Sequence, residues 1–149
     1  MNEQFFKEFR ITSGEFQSKV DLFFKNFAEF FSDDARKAIF LLGSLTDFLL
    51  NIQKDKRGNA PFRIKLKGLK MSSYDISVLL PQVIEKLEQY DSNYYQPMEE
   101  FIAKLLLSAG DYKKWCIPVD EMNFIFVLGM TLSKYFKIHK KEEEGNNND

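Results

Sequence analysis

The sequence has almost none of the residues that most often carry out chemistry in proteins. Its 149 residues include one cysteine, Cys116, and one histidine, His139. A lone cysteine cannot form an internal disulfide, and no CxxC pair is present for zinc, which fits a reducing, intracellular setting. We expect Cys116 to be a small buried side chain and His139 to be solvated at the end of the last helix.

A long hydrophobic run is also missing. Asp47 interrupts the first long apolar stretch and Lys134 the second, so neither is predicted to span a bilayer. The N-terminus has no signal-peptide pattern. We therefore predict a cytoplasmic protein that does not contact a membrane.

Motifs for catalysis or cofactor binding are absent as well. There is no GxGxxG or Walker-type loop. Adjacent carboxylates do occur, but each pair is at a predicted helix start, where acids stabilise the exposed amides. We predict no enzymatic activity, no cofactor and no metal site. The pairs are Asp33/Asp34, Glu99/Glu100 and Asp120/Glu121.

What the sequence does contain is a pattern of apolar residues at helical spacing. With 44% hydrophobic residues and sixteen phenylalanines, it predicts one all-α domain, a bundle of five or six helices over residues 1–139. The last ten residues, 140–149, have no apolar side chain and should form a disordered acidic tail. Helices are predicted at about 14–31, 32–53, 73–90, 98–109 and 120–138. Ser32 is the expected cap of the second helix, Ser72 and Asp75 have the spacing of a capping box, and Gly110 is the expected stop of the fourth helix.

Two of these helices share a short motif. The apolar stretch 38–50 is echoed at 125–136, and both contain the pattern IF-x-LG. Glycine costs about 1 kcal/mol relative to alanine inside a helix. We therefore expect Gly43 and Gly129 to mark a close helix crossing. A phenylalanine stripe over 16–31 is expected to pack in the core; the alternative is a surface for a partner.

Residues 54–70 break the helical pattern and concentrate positive charge. Seven of these seventeen residues are basic, against one aspartate. Several turn-forming residues predict a loop or a short hairpin, in which Lys65 and Lys67 would point the same way. The segment could follow a phosphate backbone, or it could be a solvated loop. The candidate contacts are Lys54, Lys56, Arg57, Arg63, Lys65, Lys67 and Lys70.

A smaller basic patch is next to aromatic residues. Lys113 and Lys114 follow Tyr112 and precede Trp115. Aromatic rings beside lysines could stack on bases. The alternative is that Trp115 packs in the core while the lysines are solvated.

Three segments together resemble a known family. Residues 35–53, 61–71 and 121–136 are similar to the C-terminal part of the large subunit of type I-B CRISPR Cascade complexes, which can also occur as a separate small subunit. The resemblance implies a non-catalytic helical bundle that stacks with copies of itself beside the backbone and large subunits. It also implies contact with crRNA and target DNA, holding the guide–target duplex and the displaced strand.

We assign this nucleic-acid contact to residues 54–70, and also to Arg36, Lys37, Lys113 and Lys114. A 149-residue chain that starts at Met1 suits a small subunit better than a large one. The alternative hypothesis is a helical protein–protein module whose basic segment docks an acidic partner.

Overall fold

A computed structural model describes residues 11–67, 71–90 and 93–139. Over these residues it confirms the predicted all-α bundle. Four 3₁₀ turns and one pair of short parallel strands, in which Ile11 is opposite Ile138, complete the fold. The elements are β1 Ile11–Thr12, α1 Phe16–Asn26, α2 Asp34–Arg57, α3 Phe62–Lys67, α4 Ser73–Glu88, α5 Gln96–Ala109, α6 Val119–Thr131 and β2 Ile138–His139.

The longest helix, α2, lies at the centre of the bundle. It is buried over most of its length and packs most extensively against α6 and α5. The expected cap at Ser32 is wrong by one residue, because the Asp33 carboxylate accepts a hydrogen bond from the Arg36 amide at 2.8 Å. The helix also continues four residues past the predicted end at Gln53 and stops at Gly58, whose φ is 77°. Glycine adopts this left-handed conformation without steric cost.

The predicted close crossing of α2 and α6 is confirmed. A Cβ atom added at Gly43 would overlap the carbonyl oxygen of Phe126, and one added at Gly129 would overlap the carbonyl oxygen of Phe40. Each motif therefore supplies one glycine and, three residues earlier, one carbonyl to the other helix. The buried Ser44 hydroxyl also donates to the Gly129 carbonyl at 2.8 Å. This reciprocal contact gives a physical reason for the repeated pattern.

Two predicted helix ends are wrong, and core packing explains both. The first helix ends at Asn26 instead of residue 31, because the chain turns there and brings the Phe31 ring to 5.0 Å from the Phe40 ring. The last helix ends at Thr131 instead of 138. A 3₁₀ turn then places Phe136 in the core, 4.9 Å from the Phe23 ring. The stripe over 16–31 is core packing, as expected.

The remaining helix signals are confirmed. Ser72 and Asp75 form a reciprocal capping box at the start of α4, and this helix continues through Pro81. Gly110 ends α5 with a φ of 76°. No helix among the described residues is long and apolar enough to cross a membrane. The predicted tail, 140–149, is outside the described residues.

Candidate nucleic-acid interface

The basic segment is helical, so the predicted loop or hairpin is wrong. Residues 54–57 form the last turn of α2, and residues 62–67 form α3. Six of the seven candidate cations are described, and all six are exposed. We call them the basic surface: Lys54, Lys56, Arg57, Arg63, Lys65 and Lys67. The seventh, Lys70, is outside the described residues.

Local chemistry explains why these residues form two helices. Cations in the last turn of α2 are favoured by the negative end of the helix dipole. The Gly58 amide then donates to the Lys54 carbonyl at 2.9 Å and closes the helix. Pro61 stands at the start of α3, where its fixed φ suits a helix and its missing amide hydrogen costs nothing. The basic residues therefore lie on regular helical backbone, in the last turn of α2 and on the short helix α3.

A buried glutamine holds α3 against α2. The Gln53 side-chain oxygen accepts a hydrogen bond from the Phe62 amide at 2.9 Å, and both residues are buried. The Phe62 ring belongs to the hydrophobic core. Gln53 is a positioning residue that the sequence did not reveal, because only the return of the chain brings the Phe62 amide to it.

The helical backbone changes which basic side chains lie on the same face. At about 100° per residue, Lys65 and Lys67 point in nearly opposite directions, so the expectation that they point the same way is wrong. Arg63 and Lys67, four residues apart, share one face of α3. The Lys65 ammonium is instead 5.9 Å from the centre of the Phe62 ring.

Arg36 and Lys37 interact with groups inside the fold. The Arg36 guanidinium hydrogen-bonds to Glu121 and, at 3.2 Å, to Asp33. Burial lowers the pKa of Arg36, but hydrogen bonding to Glu121 and the charges of both carboxylates outweigh burial and raise it. The Lys37 ammonium is 3.5 Å from Asp34. Both cations lie near the start of α2, about 30 Å from Arg57, so we leave them out of the interface.

The second basic patch follows α5. Lys113 and Lys114 are exposed, and the Lys113 ammonium is 6.0 Å from the centre of the Tyr112 ring. Trp115 is half-buried and packs against the core, with the lysines on the outside. The Tyr112 ring also meets the Tyr74 ring edge-to-face at 5.6 Å. The sequence did not indicate this partner, which comes from α4.

The prediction that Cys116 is buried is wrong, because the thiol is exposed. The backbone is extended at Trp115, so successive side chains alternate in direction. Trp115 and Ile117 point toward the core and Cys116 points away. His139 lies in β2 and not at a helix end.

The carboxylate pairs are placed as the sequence predicts. Asp33 caps α2 and Asp34 lies in its first turn. Glu99 lies in the first turn of α5, with Glu100 just after it, and Asp120 and Glu121 lie in the first turn of α6. Burial raises the pKa of Glu99, and the charges of Glu88 and Glu100 raise it further. In the described ranges, no three His, Cys, Asp or Glu side chains come together as a metal site would require.

A family model matches nearly the whole chain. The model described as the CRISPR-associated protein TM1802 (cas_TM1802) C-terminal domain matches residues 1–144. The chain belongs to this family. Its membership confirms the resemblance to the C-terminal part of a CRISPR large subunit. Searches of the curated proteins and of the solved structures returned no match.

Two more lysines of this Cas_TM1802 domain face the C-terminal half of α2. Lys134 and Lys137 line a cleft of about 450 Å³ together with Asn51 and Asp55. Lys134 and Lys137 are nearly eighty residues away from α2 in sequence, so only the fold brings them there. In this cleft two carboxylates, Asp47 and Asp55, balance the two ammonium groups, whereas the basic surface has six cations for one carboxylate.

The outer side of α6 is apolar and exposed. Phe124 and Val127, three residues apart, are 52% and 57% exposed. The Phe30 ring meets the Phe124 ring edge-to-face at 6.2 Å and is itself exposed. We call these three residues of the Cas_TM1802 domain the apolar face. The three side chains leave apolar surface open to solvent on the outer side of α6.

Proposed function

We propose that this chain is a non-catalytic small subunit of a type I-B CRISPR Cascade complex. In this role it binds the backbone of the guide–target duplex and of the displaced DNA strand during interference against invading DNA. The observation that carries the proposal is the basic surface, where six exposed cations are grouped with one carboxylate, Asp55. Membership of a CRISPR-associated family supports the setting.

The arrangement of the basic surface suits binding without sequence preference. A subunit that accepts any target has to contact phosphates, because base edges carry the sequence information. Arg and Lys side chains on the ends of α2 and α3 present positive charge from regular backbone that Gln53 and Phe62 hold in place. Backbone contacts of this kind are electrostatic and release counterions.

The first expected result is a strong dependence of binding on salt. Each phosphate contact with a single strand contributes about −0.7 to the slope of log K against log salt concentration. If all six cations contact phosphates, the slope for a single-stranded DNA of mixed sequence should approach about −4. Fluorescence anisotropy from 50 to 300 mM NaCl measures the slope.

Two controls separate this proposal from the protein-docking alternative. A second oligonucleotide of unrelated sequence should bind equally well. A slope near zero, or a strong preference for one sequence, would contradict backbone binding. The alternative, an acidic protein on the basic surface, predicts a protein partner that an excess of single-stranded DNA does not displace.

The apolar face gives the proposal a second, separate surface. We propose that it contacts another protein subunit of the complex, while the basic surface contacts nucleic acid. Phe124 and Val127 bear no charge, and α6 meets α2 at Gly43, about 20 Å along the helix from Arg57. A subunit that binds weakly alone gains affinity when protein and nucleic-acid contacts act together.

Polar substitution of the apolar face should reduce assembly without affecting DNA binding. The double variant Phe124→Ser/Val127→Ser removes two exposed anchors, and truncation of an interface aromatic commonly costs about 2 kcal/mol. We expect at least about 10-fold lower recovery with tagged backbone subunits and crRNA co-expressed in cells. DNA affinity of the isolated variant should be unchanged.

The matched control is Leu22→Ser on α1, where one leucine is exposed to a similar extent. This variant should assemble as the wild type does. Equal recovery of the double variant and the control would remove the apolar face from the interface.

A further inference from the structure

A groove on the side of the bundle, outside the basic surface, is lined by aromatic and aliphatic groups and by one carboxylate, Asp111. It has a volume of about 370 Å³ and lies between α4, α5 and the turn at Tyr112–Lys114. Leu80 and Pro81 line it from α4, and Leu106 and Leu107 line it from α5. The Leu107 side chain is 84% exposed, so this apolar groove is open to solvent.

Aromatic rings occupy one end of this groove. Tyr112 and Trp115 line it, and Tyr74 meets the Tyr112 ring edge-to-face. The Tyr74 side chain is 54% exposed, although a tyrosine ring gains by burial. The indole Nε1 of Trp115 is buried and has no hydrogen-bond partner among the described residues. Buried donors are usually paired, so this end of the groove is incomplete in the free chain.

Lys113 and Lys114, between Tyr112 and Trp115 in the sequence, bring two cations to this end of the groove. The ammonium groups of Lys113 and Lys114 have no ion pair in the part of the chain that the structure describes. Asp111 also lines the groove and Asp75 follows Tyr74 in the sequence; both carboxylates accept a hydrogen bond from a backbone amide. Asp111 accepts from the Lys113 amide at 3.0 Å, and Asp75 accepts from the Ser72 amide at 3.2 Å.

We propose that this aromatic groove, Tyr74, Tyr112 and Trp115 with Lys113 at its rim, binds an unpaired nucleobase of a single DNA strand. The proposal rests on the proposed function and extends it from the phosphate backbone to a base. Every nucleobase has a flat π-face, so stacking on tyrosine tolerates any sequence. The lysines would meet the phosphates on either side of the stacked base.

The groove is close enough to the basic surface for one strand to reach both. Tyr74 follows Lys67 by seven residues, which limits their Cα separation to about 25 Å. Single-strand sites that combine a positive groove with stacking rings span roughly 4–16 nucleotides per domain. An apolar peptide would also fit the leucine-lined part, but it would gain nothing from the ammonium groups of Lys113 and Lys114.

The consequence is a preference for single strands over duplex. Bases in a duplex are stacked on each other and cannot enter the groove, whereas the phosphate backbone is accessible in both forms. Loss of one base–aromatic stack costs about 1–3 kcal/mol. Tyr74→Ala/Tyr112→Ala should therefore weaken binding of a ten-nucleotide dT strand about 10-fold and leave binding of a ten-base-pair duplex unchanged.

Trp115 supplies a local signal because it is the single tryptophan of the chain. The dT strand should quench its fluorescence in the wild type and should quench it much less in the double alanine variant. Tyr74→Phe/Tyr112→Phe keeps both rings and should bind as the wild type does. Circular dichroism shows whether each variant retains its helices.

The outcomes separate the two proposals. If neither the dT strand nor the duplex binds the wild type, both fail. If both bind and Arg63→Gln/Lys67→Gln weakens both, the basic surface stands. The groove is overturned if the alanine variant then binds dT as the wild type does. It is also overturned if that variant loses only its recovery with protein subunits, because the groove would then be a protein site.

Discussion

Replacing Arg63 and Lys67 with glutamine is expected to weaken binding to single-stranded DNA by about 65-fold at 50 mM salt. The two side chains share one face of α3, so one strand can contact both. Each lost phosphate contact removes about 0.7 from the slope of log K against log salt concentration. Relative to 1 M salt, this lowers the affinity nearly tenfold at 50 mM and about threefold at 200 mM. The loss should therefore shrink to about 10-fold at 200 mM.

A matched variant controls for net charge. Lys19→Gln/Lys25→Gln removes the same two charges from α1 and should change affinity by less than twofold. Both variants should unfold at the wild-type temperature, since neither pair forms an ion pair within the described ranges. An equal loss in both variants would mean that only net charge matters, and the α3 surface would lose its assigned role.

The second large effect concerns the crossing of α2 and α6. Gly43→Ala places a methyl group against the Phe126 carbonyl oxygen, and Gly129→Ala places one against the Phe40 carbonyl oxygen. Backbone atoms cannot rotate away, so we expect overpacking of about 3 kcal/mol, offset by up to about 1 kcal/mol of helix propensity. Each variant should lose about 2 kcal/mol, or about 4–8 °C in Tm.

The double glycine variant tests whether both residues belong to one contact. Once the first methyl group has separated the helices, the second meets less resistance, so the double variant should lose clearly less than the sum of the single variants. Gly14→Ala is the control, because no described atom lies within 4 Å of a Cβ built there. An additive loss in the double variant would contradict a shared crossing.

Sequence patterns predicted the scaffold well where each signal was local. The capping box of Ser72 and Asp75 and the stop at Gly110 depend on residues within one turn of each other. The IF-x-LG motifs predicted the crossing, because glycine inside a helix carries a cost that close approach can explain. The ends near Asn26 and Thr131 were mispredicted, because core positions for Phe31 and Phe136 outweigh helical periodicity.

The candidate interface was predicted in composition but not in shape. Positive charge over 54–70 is visible in the sequence, whereas Gly58 and Pro61 suggested a loop there. The structure uses the same two residues to end one helix and to begin another. As a result Arg63 and Lys67 share one face of α3, and Lys65 points in another direction.

The sequence by itself determined the helical class, the central pair of glycine-containing helices and the location of the positive charge, because each depends on neighbouring residues. Only the tertiary structure decided which groups meet. It placed the Gln53 side chain at the Phe62 amide, and it brought Tyr74 to Tyr112 from a separate helix. Such contacts join residues on separate elements, so a pattern of neighbouring residues does not predict them.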